Sequence, residues 1–239
     1  MEKILTAGIA VYNIKEDYLR ACLDSVLQNS GDALEILIID DGSKTECAAL
    51  CRRYQQKDKR VRYIRNEKNM GICAVRNRMI SEARGKWISF VDGDDAVSNT
   101  FFESLAPVFS SDYDVVRFKH ASFTDKIPNI DKEKGDLLPL DEDLAQKIGI
   151  SAAVRYRVYD DKMLLDLNIS ESLVTTAVYR RGFLLQNGCR FDENLKAAED
   201  SLFNAFVCAQ NPKYAVFAKT LYFYRSNPYS VTKKFNENI

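Results

Sequence analysis

The sequence predicts an α/β fold: a mainly parallel central sheet with helices on both faces, and a less regular C-terminal part. Three observations lead there. Strand-length apolar runs alternate with amphipathic helical stretches through the first 110 residues, the pattern of crossover connections between parallel strands. Three of those runs end in polar clusters, "VYN", "DDGS" and "DGDD". With 239 residues, 46% hydrophobic and 28% charged, the composition is that of a globular protein able to bury a sizeable core.

The elements follow in order. "ILTAGIAV" (4–11) reads as a buried strand, and 15–29 as a helix with Tyr18, Leu19, Cys22, Leu23, Val26 and Leu27 on one face. "LEILIID" (34–40) is a strand, 44–57 a helix, "VRYIR" (61–65) a short strand, 71–84 a helix and "KWISFV" (86–91) a strand. Beyond this the pattern loosens. Residues 99–110 look helical and 113–121 strand-like, while 122–143, polar with Pro128, Gly135 and Pro139, reads as a loop. "SLVTTAVY" is expected to be a strand, "EDSLFNAFVCA" a helix, and "YAVFAKTLYFYR" strand-rich. No repeat or linker divides the chain, so one domain is expected over 1–239, with halves at 1–110 and 111–239.

Charge and cysteine usage exclude several classes. Lys+Arg and Asp+Glu are equal at 34 each, which argues against binding nucleic acid by general phosphate attraction. Six cysteines without a CxxC pair, and one histidine, His120, argue against a zinc site and for reduced thiols in a cytoplasmic protein. The first apolar run carries Tyr12 and Asn13 with no cleavage-type segment after it, so it is a strand and not a signal peptide. No stretch is long enough to span a bilayer. A peripheral position at the inner face of the membrane and a homodimer are both compatible with this composition.

In a parallel sheet the three polar clusters share the carboxyl edge, where such sheets bind ligands. Each alone reads as turn chemistry, with Ser43 of "DGS" a candidate helix N-cap; three on one rim point to a site. "DGDD" places three carboxylates around Gly93, an arrangement that costs stability unless a cation or donors satisfy it. Hard oxygen ligands suit magnesium or manganese shared with phosphate oxygens, held by Asp92 and Asp94. No Gly-rich loop ending in Lys-Ser/Thr is present to meet phosphate charge otherwise. Asp40 and Asp41 are placed to accept hydrogen bonds from a base or ribose.

"AVYN", "EILIIDDGSKT", "NMGICAVRN", "WISFVDGDD" and "AAEDSLF" together resemble family 2 glycosyltransferases of the GT-A fold, closely over 4–110 and more loosely over 170–230. That resemblance implies a nucleoside-diphosphate-sugar donor (a UDP-sugar first), a divalent manganese or magnesium ion, and inverting transfer to a hydroxyl on a glycan, lipid-linked or protein-linked acceptor. It implies that Ala10, Tyr12 and Asn13 line the nucleotide pocket, that Asp41 faces the base, and that Arg76 and Asn77 lie beside it. Asp92 would touch ribose or metal-bound water, Gly93 would belong with it to the nucleotide-sugar-binding set, and Asp94 would be the principal metal ligand. Val75 stands where the family pattern has a smaller residue, and 122–165 matches no part of that pattern.

Inversion needs a base on the acceptor's face opposite the cation on the leaving diphosphate. Asp200 in "AAEDSL" resembles the family's base. At a helix start the positive dipole end is expected to lower its pKa while neighbouring Glu199 raises it; the plain alternative is that both acids only favour the helix N-terminus. Trp87 is expected in the core and His120 as a satisfied packing residue. Arg225, Ser230 and Lys233 fall where the family carries a mobile segment that closes over the donor; Lys233 or Lys234 could reach a phosphate, with a solvated basic end the stronger alternative. Two other readings compete: a nucleotidyltransferase, which would show a Gly-rich basic loop after the first strand, and a binding module without turnover.

Overall fold

The structure, a computed structural model, describes residues 2–128, 133, 135–167 and 169–226. Its first half follows the predicted alternation: β1 (Leu5–Val11), α1 (Glu16–Leu27), β2 (Leu34–Asp40), α2 (Thr45–Lys57), β3 (Val61–Arg65), α3 (Ile72–Glu82) and β4 (Trp87–Asp92). These four strands are mutually parallel in the order β3-β2-β1-β4. The register pairs Val11 with Asp40, Ala10 with Asp92 and Asp40 with Arg65, so the three polar clusters stand level on one edge. Leu19, Cys22, Leu23 and Val26 of α1 and Leu50 and Cys51 of α2 pack on one face of the sheet. Val75, Met79 and Ile80 of α3 pack on the other.

The second half adds β5 (Ala96–Val97), α4 (Phe101–Ser104), α5 (Ala106–Phe109), β6 (Val115–Phe123), β7 (Leu137–Pro139), α6 (Glu142–Val154), α7 (Lys162–Leu167), β8 (Ala177–Arg180), α8 (Arg181–Gln186), α9 (Glu199–Cys208) and β9 (Tyr214–Arg225). They continue the same sheet as β4-β8-β6-β9-β5, with β7 also on β9. β8 pairs antiparallel with β4 on one side and β6 on the other, β6 and β9 are parallel, and β5 and β7 are antiparallel to β9. The whole sheet is therefore mixed.

Several expectations change here. The helix expected over 99–110 is two single turns broken at Leu105, because Pro107 has no N–H to continue the ladder. The expected loop 122–143 holds the end of β6, all of β7 and the start of α6, which Asp141 caps by accepting from the Leu144 N–H at 2.8 Å. In "SLVTTAVY" a 3-10 turn, Val174–Thr176, precedes the strand. Ser43 is not a helix cap: α2 starts from Lys44, and the Ser43 hydroxyl instead accepts from the Asn13 N–H at 3.1 Å. Trp87 is core, as expected. His120 is not the satisfied residue expected, since its Nδ1 is buried without a partner and burial lowers its pKa.

Candidate active site

The carboxyl rim is built by loops that bind one another. After β1 the chain turns at Asn13, whose φ of 49° is left-handed, a region asparagine tolerates. Its side-chain oxygen accepts from the Lys44 N–H at 2.8 Å, tying the first and second loops together. Tyr12 beside it is 47% exposed. Gly93 approaches the other side of β1 so closely that a Cβ there would meet the Ala10 carbonyl oxygen at 2.7 Å, and its N–H donates to that oxygen at 3.1 Å. Ala10, Tyr12 and Asn13 thus lie on the rim as expected. Gly93 is buried beneath it, where the lack of a Cβ permits this close backbone packing.

The tandem acids of "DDGS" turn inward. Asp40 is fully buried, accepting from the Ser43 N–H at 2.8 Å and the Tyr63 hydroxyl at 2.6 Å. It has no oxygen facing a base or ribose, contrary to expectation. Asp41 is 3% exposed. It accepts from the Asn66 side chain at 2.7 Å, from the Met70 N–H, and from the Gly71 N–H at 2.9 Å. Instead of facing a base it ties down the 66–71 segment that opens α3. Asn77 likewise grips the 191–193 loop, exchanging hydrogen bonds with the Phe191 backbone at 2.9 and 2.8 Å and donating to Glu193 at 2.9 Å. Its amide is thus engaged with protein partners of the 191–193 loop.

Arg76 departs furthest from expectation. Its side chain is only 4% exposed and lies over the Phe191 ring, 5.4 Å from the centroid. Nη1 donates to Asp200 Oδ1 and stands 3.6 Å from Glu199 Oε1, while Nη2 donates to Asp92 Oδ1 at 3.2 Å. One guanidinium therefore joins the end of β4 to the start of α9. Asp200 Oδ2 accepts from the Val174 N–H at 3.1 Å. The turn carrying Val174 is held by Arg117, fully buried on β6, which donates to the carbonyls of Ser170 and Leu173 at 2.8 and 2.9 Å. The Asp200 pKa is raised, first by burial, with Arg76 pulling against it and Asp92 and Glu199 adding to it. Burial outweighs the lowering expected from the helix end.

Asp95, the last acid of "DGDD", was not singled out in the sequence. It is 2% exposed, accepting from the Tyr222 hydroxyl at 2.5 Å and the Arg225 N–H at 2.7 Å. Burial, with Asp92 and Asp94 adding, pushes its pKa up to about 8. Arg225 also donates through Nε to the Asp94 carbonyl at 2.7 Å and stacks between Tyr18 and Phe123. It is a buried anchor of the loop and not part of a closing segment; Ser230, Lys233 and Lys234 lie outside the described residues. Arg117 and Tyr222 gave no local signal, and Arg225 was marked for another role, because each acts on a loop distant in sequence.

The residues that would hold a cation here are Asp92 and Asp94. Among the described residues no three His, Cys, Asp or Glu side chains converge to enclose a metal. Two half-exposed carboxylates at the rim fit an ion completed by ligand phosphate and water. The six thiols are free and buried. Among the described residues no helix is long and apolar enough to cross a membrane. A cavity of 340 Å³ bordered by Ala21, Ser25, Val97 and Phe223 lies toward α1, and none of Asp92, Asp94 and Asp200 lines it.

A parallel βα half with an acidic loop at its carboxyl rim, extended by a mixed half that delivers a second acidic pair, defines a GT-A nucleotide-binding fold. The chain belongs to glycosyl transferase family 2, whose model matches residues 6–184. It is similar to the uncharacterized glycosyltransferase EpsJ of Bacillus subtilis (strain 168), 28% identical over 98% of this chain and 64% of that protein. It is also similar to the minor teichoic acid biosynthesis protein GgaA of the same organism, 28% identical over 91% of this chain and 46% of that protein. Among solved structures, S. aureus TarS 1-349 in complex with UDP-GlcNAc shares the fold, with a TM-score of 0.74 and 19% identity over 96% of this chain and 60% of that one. The chain thus spans less than two thirds of the length of these relatives.

Proposed function

We propose that this chain transfers a sugar from a nucleoside-diphosphate donor, a UDP-sugar first, to an acceptor hydroxyl with inversion. The observation that carries the reading is the meeting of Asp92 and Asp200 on one buried guanidinium. It brings a carboxylate from the end of β4 and one from the start of α9 into one site, which supports a displacement with separate donor-side and acceptor-side groups. Asp200, with its raised pKa, is a stronger base than an ordinary carboxylate and takes the acceptor's proton. Tyr12 and Asn13 border the nucleotide. A divalent cation at Asp94 and Asp92 would neutralise charge on the departing diphosphate. Family membership supports the reaction class. TarS with UDP-GlcNAc and GgaA of teichoic acid biosynthesis support a UDP-sugar and a glycan-type acceptor.

Calorimetry tests the donor side. UDP is expected to bind much more tightly with manganese than with a chelator, and Asp94→Asn is expected to erase the difference. Equal affinity under both conditions would remove the metal from the reading. Turnover of a panel of UDP-sugars, with and without simple glycan acceptors, tests the transfer itself.

A further inference from the structure

We propose that Arg76 is a positioning residue for transfer, holding Asp200 and Asp92 in fixed relation without touching nucleotide or sugar. This rests on the glycosyl-transfer reading and adds a device to it. Arg76 projects from the buried face of α3, with its guanidinium against Phe191 and its charge turned wholly toward carboxylates. Three of them, Asp92, Glu199 and Asp200, surround that one cation. Without it, like charges would face one another in a poorly solvated pocket, which drives carboxylates apart or makes them take up protons.

The two ends of the guanidinium are used differently. Nη1 grips Asp200, whose other oxygen is fixed by the Val174 N–H, so the acceptor-side group is held at both oxygens. Nη2 reaches Asp92 through one long contact of 3.2 Å, and Nε, along the same edge of the planar group, is buried with no partner. That edge therefore offers Asp92 more donors than it takes up. Asp92 is 37% exposed and can turn one oxygen toward a ligand while the other stays on Arg76. A lysine keeps the charge but is a point donor, unable to span both carboxylates.

Arg76→Lys and Arg76→Gln, each made alone and with Asp200→Asn, test this by steady-state transfer and by calorimetry of UDP with manganese. Arg76→Lys is expected to lower kcat about 10- to 100-fold through misplacement of the base, and Arg76→Gln further, toward the loss given by Asp200→Asn. The UDP dissociation constant in manganese should rise far less than kcat falls, since Asp92 is held through one long contact and Asp200 at both oxygens, and Arg76→Lys should cost less than about twofold more in kcat once Asp200 is Asn. If Arg76→Gln does not fold, Arg76→Lys carries the test alone. Weakening of UDP in step with kcat would place Arg76 on the nucleotide and overturn the proposal. Equal losses with and without the Asp200 carboxylate would overturn it too. A wild-type chain that binds UDP yet transfers no sugar would fail the underlying reading instead, and this proposal with it.

Discussion

Asp200 must be ionised to take a proton, yet burial raises its pKa and only Arg76 and one N–H oppose that. A raised pKa means the base is lost as pH falls through a value above the ordinary carboxylate one of about 3.9. The pH–rate profile should therefore show an acid limb displaced upward from there. Asp200→Asn should remove that limb and lower transfer by about 10²–10⁴, leaving UDP affinity nearly unchanged; a variant at near wild-type rate would reduce Asp200 to a helix-start residue. Asp92, Asp94 and Asp200 stood out as candidates because carboxylates adjoin apolar elements in a recognisable motif order, and Asp92 and Asp200 do meet on one guanidinium. Asp40 and Asp41 gave the same signal, yet they face inward. Their partners, Tyr63 and the Asn66–Gly71 segment, come from other loops, and nothing in "DDGS" itself distinguishes a ligand's donor from the protein's own.

α6 and α9 cross at Gly149, where a Cβ would collide with the Cys208 side chain. Gly149→Ala should destabilise the fold by about 1–3 kcal/mol through overpacking, read by urea unfolding. Gly182→Ala on α8, with open space around the new methyl group, is the control and should not destabilise. Because α9 begins with Glu199 and Asp200, Gly149→Ala should also lower transfer more than UDP binding; equal stability of the two variants would show that the helices separate freely. The same packing explains why α6 was missed. Its buried face is largely Ala145, Gly149, Ser151 and Ala152, too small to give a bulky apolar periodicity. β7, also missed, is only 3 residues long and takes its strand character from its pairing with β9. The first-half helices, buried through Leu, Val, Met and Ile, announced themselves.

Over the whole molecule, one sheet joins a regular parallel half ordered β3-β2-β1-β4 to a half in which β9 lies between β6 and β5. The donor-side loop at 92–95 is formed by the first half but anchored by Tyr222 and Arg225 of the last described strand. That has a consequence in time. Long-range parallel pairing such as β6 with β9 forms slowly, because distant segments must first meet, and chains of this length commonly fold in stages. Trp87, the chain's one tryptophan, is buried at the start of β4 between β1 and β8. On refolding, its fluorescence change should precede recovery of UDP binding in manganese, and coincident recovery would show that the loop needs no late strand. The nascent chain emerges from the ribosome with its acidic loop already made but without the residues that anchor it. Until β9 docks, that cluster of carboxylates stays under its own repulsion, and donor recognition matures last.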